Sequence, residues 1–146
     1  MDSFLHILLA IPILGFYYEV LIGAILPDAL YLIAGVIYRF DVNKIKKSRI
    51  FIWGERMHSL LLLPIILTVV YITWHDIRVL LLLASVYLHI LTDILTHRDF
   101  GPRFLWPLVD TYYPRGIIQW EDRKSLVALY FIVFCILFVR LLVRYR

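Results

Sequence analysis

Residues 4–38 read FLHILLAIPILGFYYEVLIGAILPDALYLIAGVIY, and the path of this one stretch decides the fold. It is apolar almost throughout. A single straight helix of about 35 residues, rising ~1.5 Å per residue, would exceed about 50 Å, against a bilayer core of about 30 Å. The stretch must therefore bend or fold back. Its punctuation lies at Pro12, at Gly15 and at Phe16-Tyr17-Tyr18-Glu19, with a second break at Pro27-Asp28, because proline cannot donate to a helix and glycine permits the turn. The pattern predicts a helical hairpin: a short leg over 3–15, then a second leg to about residue 39, restarted at Pro27-Asp28.

Working outward, three more apolar blocks span 58–74, 77–96 and 125–143. Each is about right for one helical bilayer crossing, which takes roughly 20 residues. The composition agrees: of 146 residues 62% are hydrophobic and 18% charged, against roughly 45–50% and about 25% in soluble domains. Mean hydropathy is +0.84. A small soluble domain buries only about two-thirds of its chain's surface and could not hide this much apolar material. Disorder, a collagen repeat and a disulfide scaffold are excluded too; Cys135 is the only cysteine, so no internal disulfide can form. The expected fold is all-α: one polytopic membrane domain over 1–146, an integral membrane helical bundle with an N-terminal broken helical hairpin plus three further transmembrane helices. No cleavable signal peptide is expected, since Asp2 stands where a basic region would be and no small-residue cleavage site follows.

The net charge is +4 and the pI about 9.3. In so apolar a chain this points to basic loops at a membrane surface, not to nucleic acid. The segment Arg39 to Arg56 carries six Lys and Arg, the link Thr73 to Arg78 one, and the loop Arg98 to Lys124 five. That alternation predicts a cell-membrane protein with its first and third loops on the cytoplasmic side. Arg140, Arg144 and Arg146 in the tail run against the rule.

Ionisable residues inside apolar blocks are rare and costly, so each is a candidate functional group. His89, Asp93 and His97 are spaced four apart and share one helical face. Imidazole and carboxylate at this spacing form a chelating pair for zinc or a similar divalent ion; the alternative is a hydrogen-bonded patch joining helices. His58 opens the second block, where a simple interfacial role competes. Asp28 follows Pro27 and could merely cap the restarted helix. His6 could be an ordinary core histidine. The hairpin links them: His6 and Asp28 each lie about nine residues from the turn, hence at a similar depth of about 14 Å. His89 and Asp93, counted from the short outer link, come to the same inner half, and His58 enters from the basic loop.

The order of these motifs resembles the membrane-bound, metal-dependent hydrolase family. The elements are an early His6, then Gly23-Ala24-Ile25-Leu26-Pro27-Asp28, then Arg56-Met57-His58-Ser59-Leu60, then His89-Ile90-Leu91-Thr92-Asp93, then Leu105-Trp106-Pro107-Leu108. That family is distantly similar in motif order to the zinc-dependent phospholipase C and single-strand nuclease superfamily. The resemblance implies that His6, Asp28, His58, His89 and Asp93 are metal ligands, and by extension His97. Two departures stand out. Trp53-Gly54-Glu55-Arg56-Met57-His58-Ser59 keeps only Arg-x-His-Ser of a fuller family element, and Ala29-Leu30 follows Asp28 where a second Asp is common. Fewer acidic ligands imply fewer metals, so roughly one or two ions are expected, zinc being the leading candidate.

As a hydrolase, the expected chemistry is attack of a metal-activated water on a phosphoester of a lipid or other membrane-borne substrate. Asp93 or Asp28 would orient or deprotonate that water. Arg56 and Arg98, beside His58 and His97, would clamp the anionic group, with Arg103 and Arg115 in reserve; against this stands ordinary snorkelling of interfacial arginines. Trp106, Tyr112, Tyr113 and Trp120 are expected as an interfacial aromatic belt, or more sharply as a lid. The competing classes are a non-catalytic membrane scaffold or partner subunit with a structural His/Asp cluster, and a proton or ion relay. The expected partners are bilayer lipids and a phospholipid-like substrate.

Overall fold

The first leg is helix α1, Ser3–Leu14, and it ends where expected. Gly15 takes φ +101°, a left-handed conformation open to glycine, while its N–H still bonds to the Ile11 carbonyl at 2.9 Å. The chain then reverses into α2, Tyr18–Ile25. The legs close on each other through Ala10, Val20 and Ala24, all buried. A single 3-10 turn over Leu26–Asp28 follows, with Pro27 where its missing N–H costs nothing. Helix α3, Ala29–Ile37, continues the second leg. The broken hairpin is thus the observed path of residues 3–37. The computed structural model describes residues 3–98, 102–112, 116–118 and 122–144, all of it helix, turn or irregular chain. Gly101, Tyr113, Pro114, Arg115, Trp120 and Arg146 lie outside the described residues.

Two expectations are corrected. The basic segment 39–56 is not a plain loop but two short helices, α4 (Val42–Lys47) and α5 (Arg49–Met57). Side-chain caps explain both. Asp41 accepts from Asn43 N and Lys44 N, and Ser48 Oγ accepts from Phe51 N at 3.1 Å, satisfying orphan donors of the first turn. The block 58–74 is also not one crossing. Its helix α6 is Leu62–Trp74, only 13 residues, or about 20 Å. It approaches a full span only together with α5, from which it is bent by 57°. The bend has a cause in the segment 58–61. Leu60 N donates to Phe104 O at 2.8 Å, and Ser59 Oγ donates to the Trp106 carbonyl while accepting from Leu61 N and Leu62 N. The chain there bonds to the 102–108 segment instead of continuing the helix.

Helix α7, Ile77–Thr96, and helix α8, Arg123–Arg144, complete the chain. Among the described residues, and counting α2 to α3 as one unit, three helices are long and apolar enough to cross a membrane, or up to four if α5 and α6 form one bent span. Helix α7 is the hub. One side packs on α6 and the 102–108 segment through Leu63, Leu67, Leu83, Val86, Ile90 and Phe104. The other side meets α2 so closely that a Cβ on Gly23 would lie 2.7 Å from the Leu82 carbonyl oxygen. Ser85 Oγ donates across the same contact to Val20 O at 2.7 Å. Small residues and interhelical hydrogen bonds of this kind hold helices together in lipid, where apolar burial alone gives little preference. Helix α8 touches the bundle chiefly through Val133 against Leu5 of α1. Its Phe131, Phe134, Phe138 and Val139 are exposed, a surface suited to acyl chains.

Candidate metal centre

Four elements carry the polar residues inward: α1 supplies His6, the 3-10 turn Asp28, the end of α5 His58, and α7 His89 and Asp93. All five are at most 7% exposed. Asp93 Oδ1 lies 3.0 Å from His6 Nε2, and Asp93 Oδ2 lies 3.4 Å from His58 Nε2 and 3.3 Å from His89 Nε2. Asp28 Oδ1 lies 3.1 Å from His58 Nε2 and 3.8 Å from His89 Nε2. Two overlapping sets, His6 with Asp28 and His89, and His58 with His89 and Asp93, each hold their donor atoms within 4.8 Å of one another. The convergence expected from the hairpin is therefore met in space.

The hydrogen bonds behind these residues determine what the cluster can do. His58 Nδ1 donates to Gly54 O at 2.9 Å, and His89 Nδ1 donates to Ala24 O at 2.6 Å. Thr92 Oγ1 bonds to backbone carbonyls of its own helix and lies 3.0 Å from His6 Nδ1. A neutral imidazole has one N–H, and in His58 and His89 it is spent on the outer carbonyl. Each of the three Nε2 atoms faces carboxylate oxygens, and His58 Nε2 and His89 Nε2 lie 3.3 Å apart. Contacts of this kind are balanced either by protons on the imidazoles, which then pair with Asp28 and Asp93, or by a bound cation. The His6 and His89 rings are stacked with centroids 3.6 Å apart, an arrangement that two imidazolium ions would resist. An outer partner on each imidazole is also the pattern by which proteins orient metal-binding histidines. The donor set of three imidazole nitrogens and two carboxylates suits zinc and similar ions.

Asp28 does not cap α3. Its Oδ2 instead accepts from Ser3 Oγ at 2.6 Å, leaving Oδ1 for the cluster. His97 sits beside the cluster and in neither set. Its Nδ1 donates to Asp93 O at 2.9 Å, and burial pushes its pKa below the ordinary imidazole value. The backbone holds it there, with Gly116 N donating to His97 O at 3.0 Å. No protein-family model, curated protein or solved structure matches this chain.

The expected anion clamps divide. Arg98 is exposed beyond the end of α7. Arg56 is engaged elsewhere: its guanidinium packs 5.0 Å from the Trp53 ring and 5.3 Å from the Trp106 ring, with Nη2 3.4 Å from Asp110 Oδ2. Arg103 is its neighbour and donates to the same carboxylate. That guanidinium holds the Asp110 carboxyl below the ordinary carboxylate range. Trp106 and Tyr112 belong to this network rather than to a free-standing belt, since Tyr112 Oη donates to Glu55 Oε2 at 3.1 Å. Tyr113, Trp120 and Arg115, expected in the same loop, are not among the described residues.

Sequence reasoning passed over Glu55, only 1% exposed, and the outer partners Ser3 and Thr92. Ser3 was within reach, three residues before His6 and so on its face of α1. Thr92, three residues after His89, was within reach by the same spacing.

Proposed function

We propose that this chain is an integral-membrane metal-dependent hydrolase that holds about one or two divalent ions, zinc foremost, on His6, Asp28, His58, His89 and Asp93. The observation that carries the metal reading is the set of three Nε2 atoms turned toward two buried carboxylates. A bound ion would make a water nucleophilic near neutral pH and polarise a phosphoryl oxygen. Asp93, surrounded by imidazoles, is suited to holding metal. Asp28 is suited to taking a proton, because its second oxygen already has Ser3 as an adjustable hydrogen-bond partner. Arg56, two residues from His58, would bind the anionic group. The substrate class that fits is a phosphoester carried by a lipid or otherwise borne at the membrane. The site is read as lying in the cytoplasmic half, which the basic segments 39–56 and 98–124 support under the positive-inside rule.

The second reading is a scaffold in which the same side chains only bind helices together. It is favoured by the ion pairs they make with one another and by their burial. Activity separates the two. Chelator-stripped protein in nanodiscs, reloaded with zinc or manganese, should release phosphate from phosphatidic acid, or the aryl alcohol from an aryl phosphodiester. Asp28→Ala should lower the rate at least about a hundredfold, the usual lower range for removing a general base. Metal-loaded protein without turnover on any phosphoester would support the scaffold.

A further inference from the structure

We propose that Arg56 and Arg103 form a phosphate-binding fork, and that Asp110 occupies it as a displaceable internal stand-in. This deepens the proposed hydrolase reading by naming the group that recognises the substrate, and it rests on that reading only for what happens to the phosphate afterwards. The Asp110 carboxylate meets one guanidinium with each oxygen: Oδ2 faces Arg56 Nη2 at 3.4 Å, and Oδ1 accepts from Arg103 Nη1. Two guanidinium groups converging on one small anion is the way proteins grip phosphate.

Both arginines have seats apart from the Asp110 side chain, and Arg103 Nη1 donates as well to the Asp110 backbone carbonyl at 3.2 Å. Arg56 rests against Trp53 and Trp106. Arg103 lies over the Tyr112 ring, with its Nε donating to Glu55 Oε2 at 3.4 Å. Their side chains are 24% and 16% exposed, while that of Asp110 is 49% exposed. Asp110 is therefore the partner free to leave, and Glu55 with Tyr112 keeps Arg103 in place when it does.

The stand-in also fits imperfectly. Arg56 Nε is buried without a hydrogen-bond partner. A planar carboxylate has two oxygens, and both are already used. A phosphate adds a third oxygen in a tetrahedral arrangement that can reach the unused donor. The fork is built on the same backbone as a candidate metal ligand. Gly54 O holds His58 Nδ1, and Arg103 N donates to Glu55 O at 3.4 Å. The backbone of Gly54 and Glu55 thus ties the fork to the segment that carries His58.

The test is phosphate binding to the full-length, metal-stripped protein in detergent, measured by calorimetry with inorganic phosphate and separately with short-chain phosphatidic acid. If Asp110 fills the fork about nine-tenths of the time, apparent affinity is lowered about tenfold. Asp110→Asn should therefore tighten binding about tenfold, and adding Arg103→Gln should cancel the gain. A gain with phosphatidic acid alone assigns the site to a lipid headgroup; an equal gain with both assigns it to phosphate in general. Unchanged or weaker binding in folded Asp110→Asn overturns the proposal, as does a gain that survives Arg103→Gln. A measurement on the unaltered protein guards against a misfolded variant: saturating phosphate should speed amide hydrogen exchange around residues 108–112, and no change there also overturns it. Tighter binding together with no turnover by the zinc-reloaded protein would refute the hydrolase reading alone. Hydrolysis with an unresponsive Asp110→Asn would refute the fork alone.

Discussion

Replacing Gly23 by alanine asks whether the close approach of α2 to α7 holds the metal centre together. A Cβ at residue 23 would lie 2.7 Å from Leu82 O and 2.7 Å from Ser85 Cβ, where non-bonded atoms settle nearer about 3.5–4.0 Å. One obstacle is backbone and the other is fixed directly to it, so the helices must separate by about 1 Å. His89 lies one turn along from Ser85, and its Nδ1 donates to Ala24 O at 2.6 Å. A 1 Å separation stretches this to about 3.6 Å, outside hydrogen bonding. The Ser85 to Val20 bond lengthens with it. Overpacking costs about 1–3 kcal/mol, and each interhelical hydrogen bond about 1 kcal/mol. A total near 3 kcal/mol lowers the Tm by about 10 °C in a chain of this size. Losing the outer partner of a metal-binding histidine weakens metal affinity about 10- to 100-fold. Thermal melting by tryptophan fluorescence and a zinc titration read the two effects. If Gly23→Ala melts within about 2 °C of wild type and binds zinc equally well, this contact does not support the site.

Asp93→Asn keeps the shape of the side chain but removes the carboxylate shared by three imidazoles. Chelator should lower the wild-type Tm, since ligand at about 1,000 times Kd stabilises by about 4 kcal/mol. It should leave Asp93→Asn unmoved, and an equal chelator shift in the variant contradicts the ligand assignment. Thr92→Val removes the hydroxyl that bonds His6 Nδ1 and should weaken metal binding about 10- to 100-fold, measured by competition with a chromophoric chelator; unchanged affinity refutes that role. Ser48→Ala removes the α5 cap and should destabilise by about 1 kcal/mol in denaturant melts without altering metal content. A loss of metal there would tie α5 to the site more tightly than its cap implies.

The hairpin was legible because proline, glycine and a stretch too long for one crossing leave few alternatives. Once Gly15 turns the chain, His6 and Asp28 must share a depth, and the i, i+4 pair His89 and Asp93 needs only a helix to line up. The bend between α5 and α6 was not legible. It depends on Leu60 N and Ser59 Oγ finding carbonyls more than 40 residues away in the 102–108 segment, and no local pattern announces such a partner. The same reason hid the partner of Arg56, for which the sequence offered Arg98 first and Arg103 only in reserve. Arg98 adjoins His97 in sequence, yet Arg103 is the one that joins Arg56, because the turn at 104–108 folds back over α5. The orientation of each imidazole was equally hidden, being set by the carbonyls of Gly54 and Ala24 and the hydroxyl of Thr92.

The most direct test is the metal content of the protein purified without chelator, determined by plasma mass spectrometry on wild type beside His89→Ala. About one to two ions per chain, predominantly zinc, are expected in wild type, falling by at least about tenfold in the variant. Folded wild-type protein without stoichiometric metal, and unable to take it up from added zinc, would contradict the metal centre and leave the cluster as a helix-joining core.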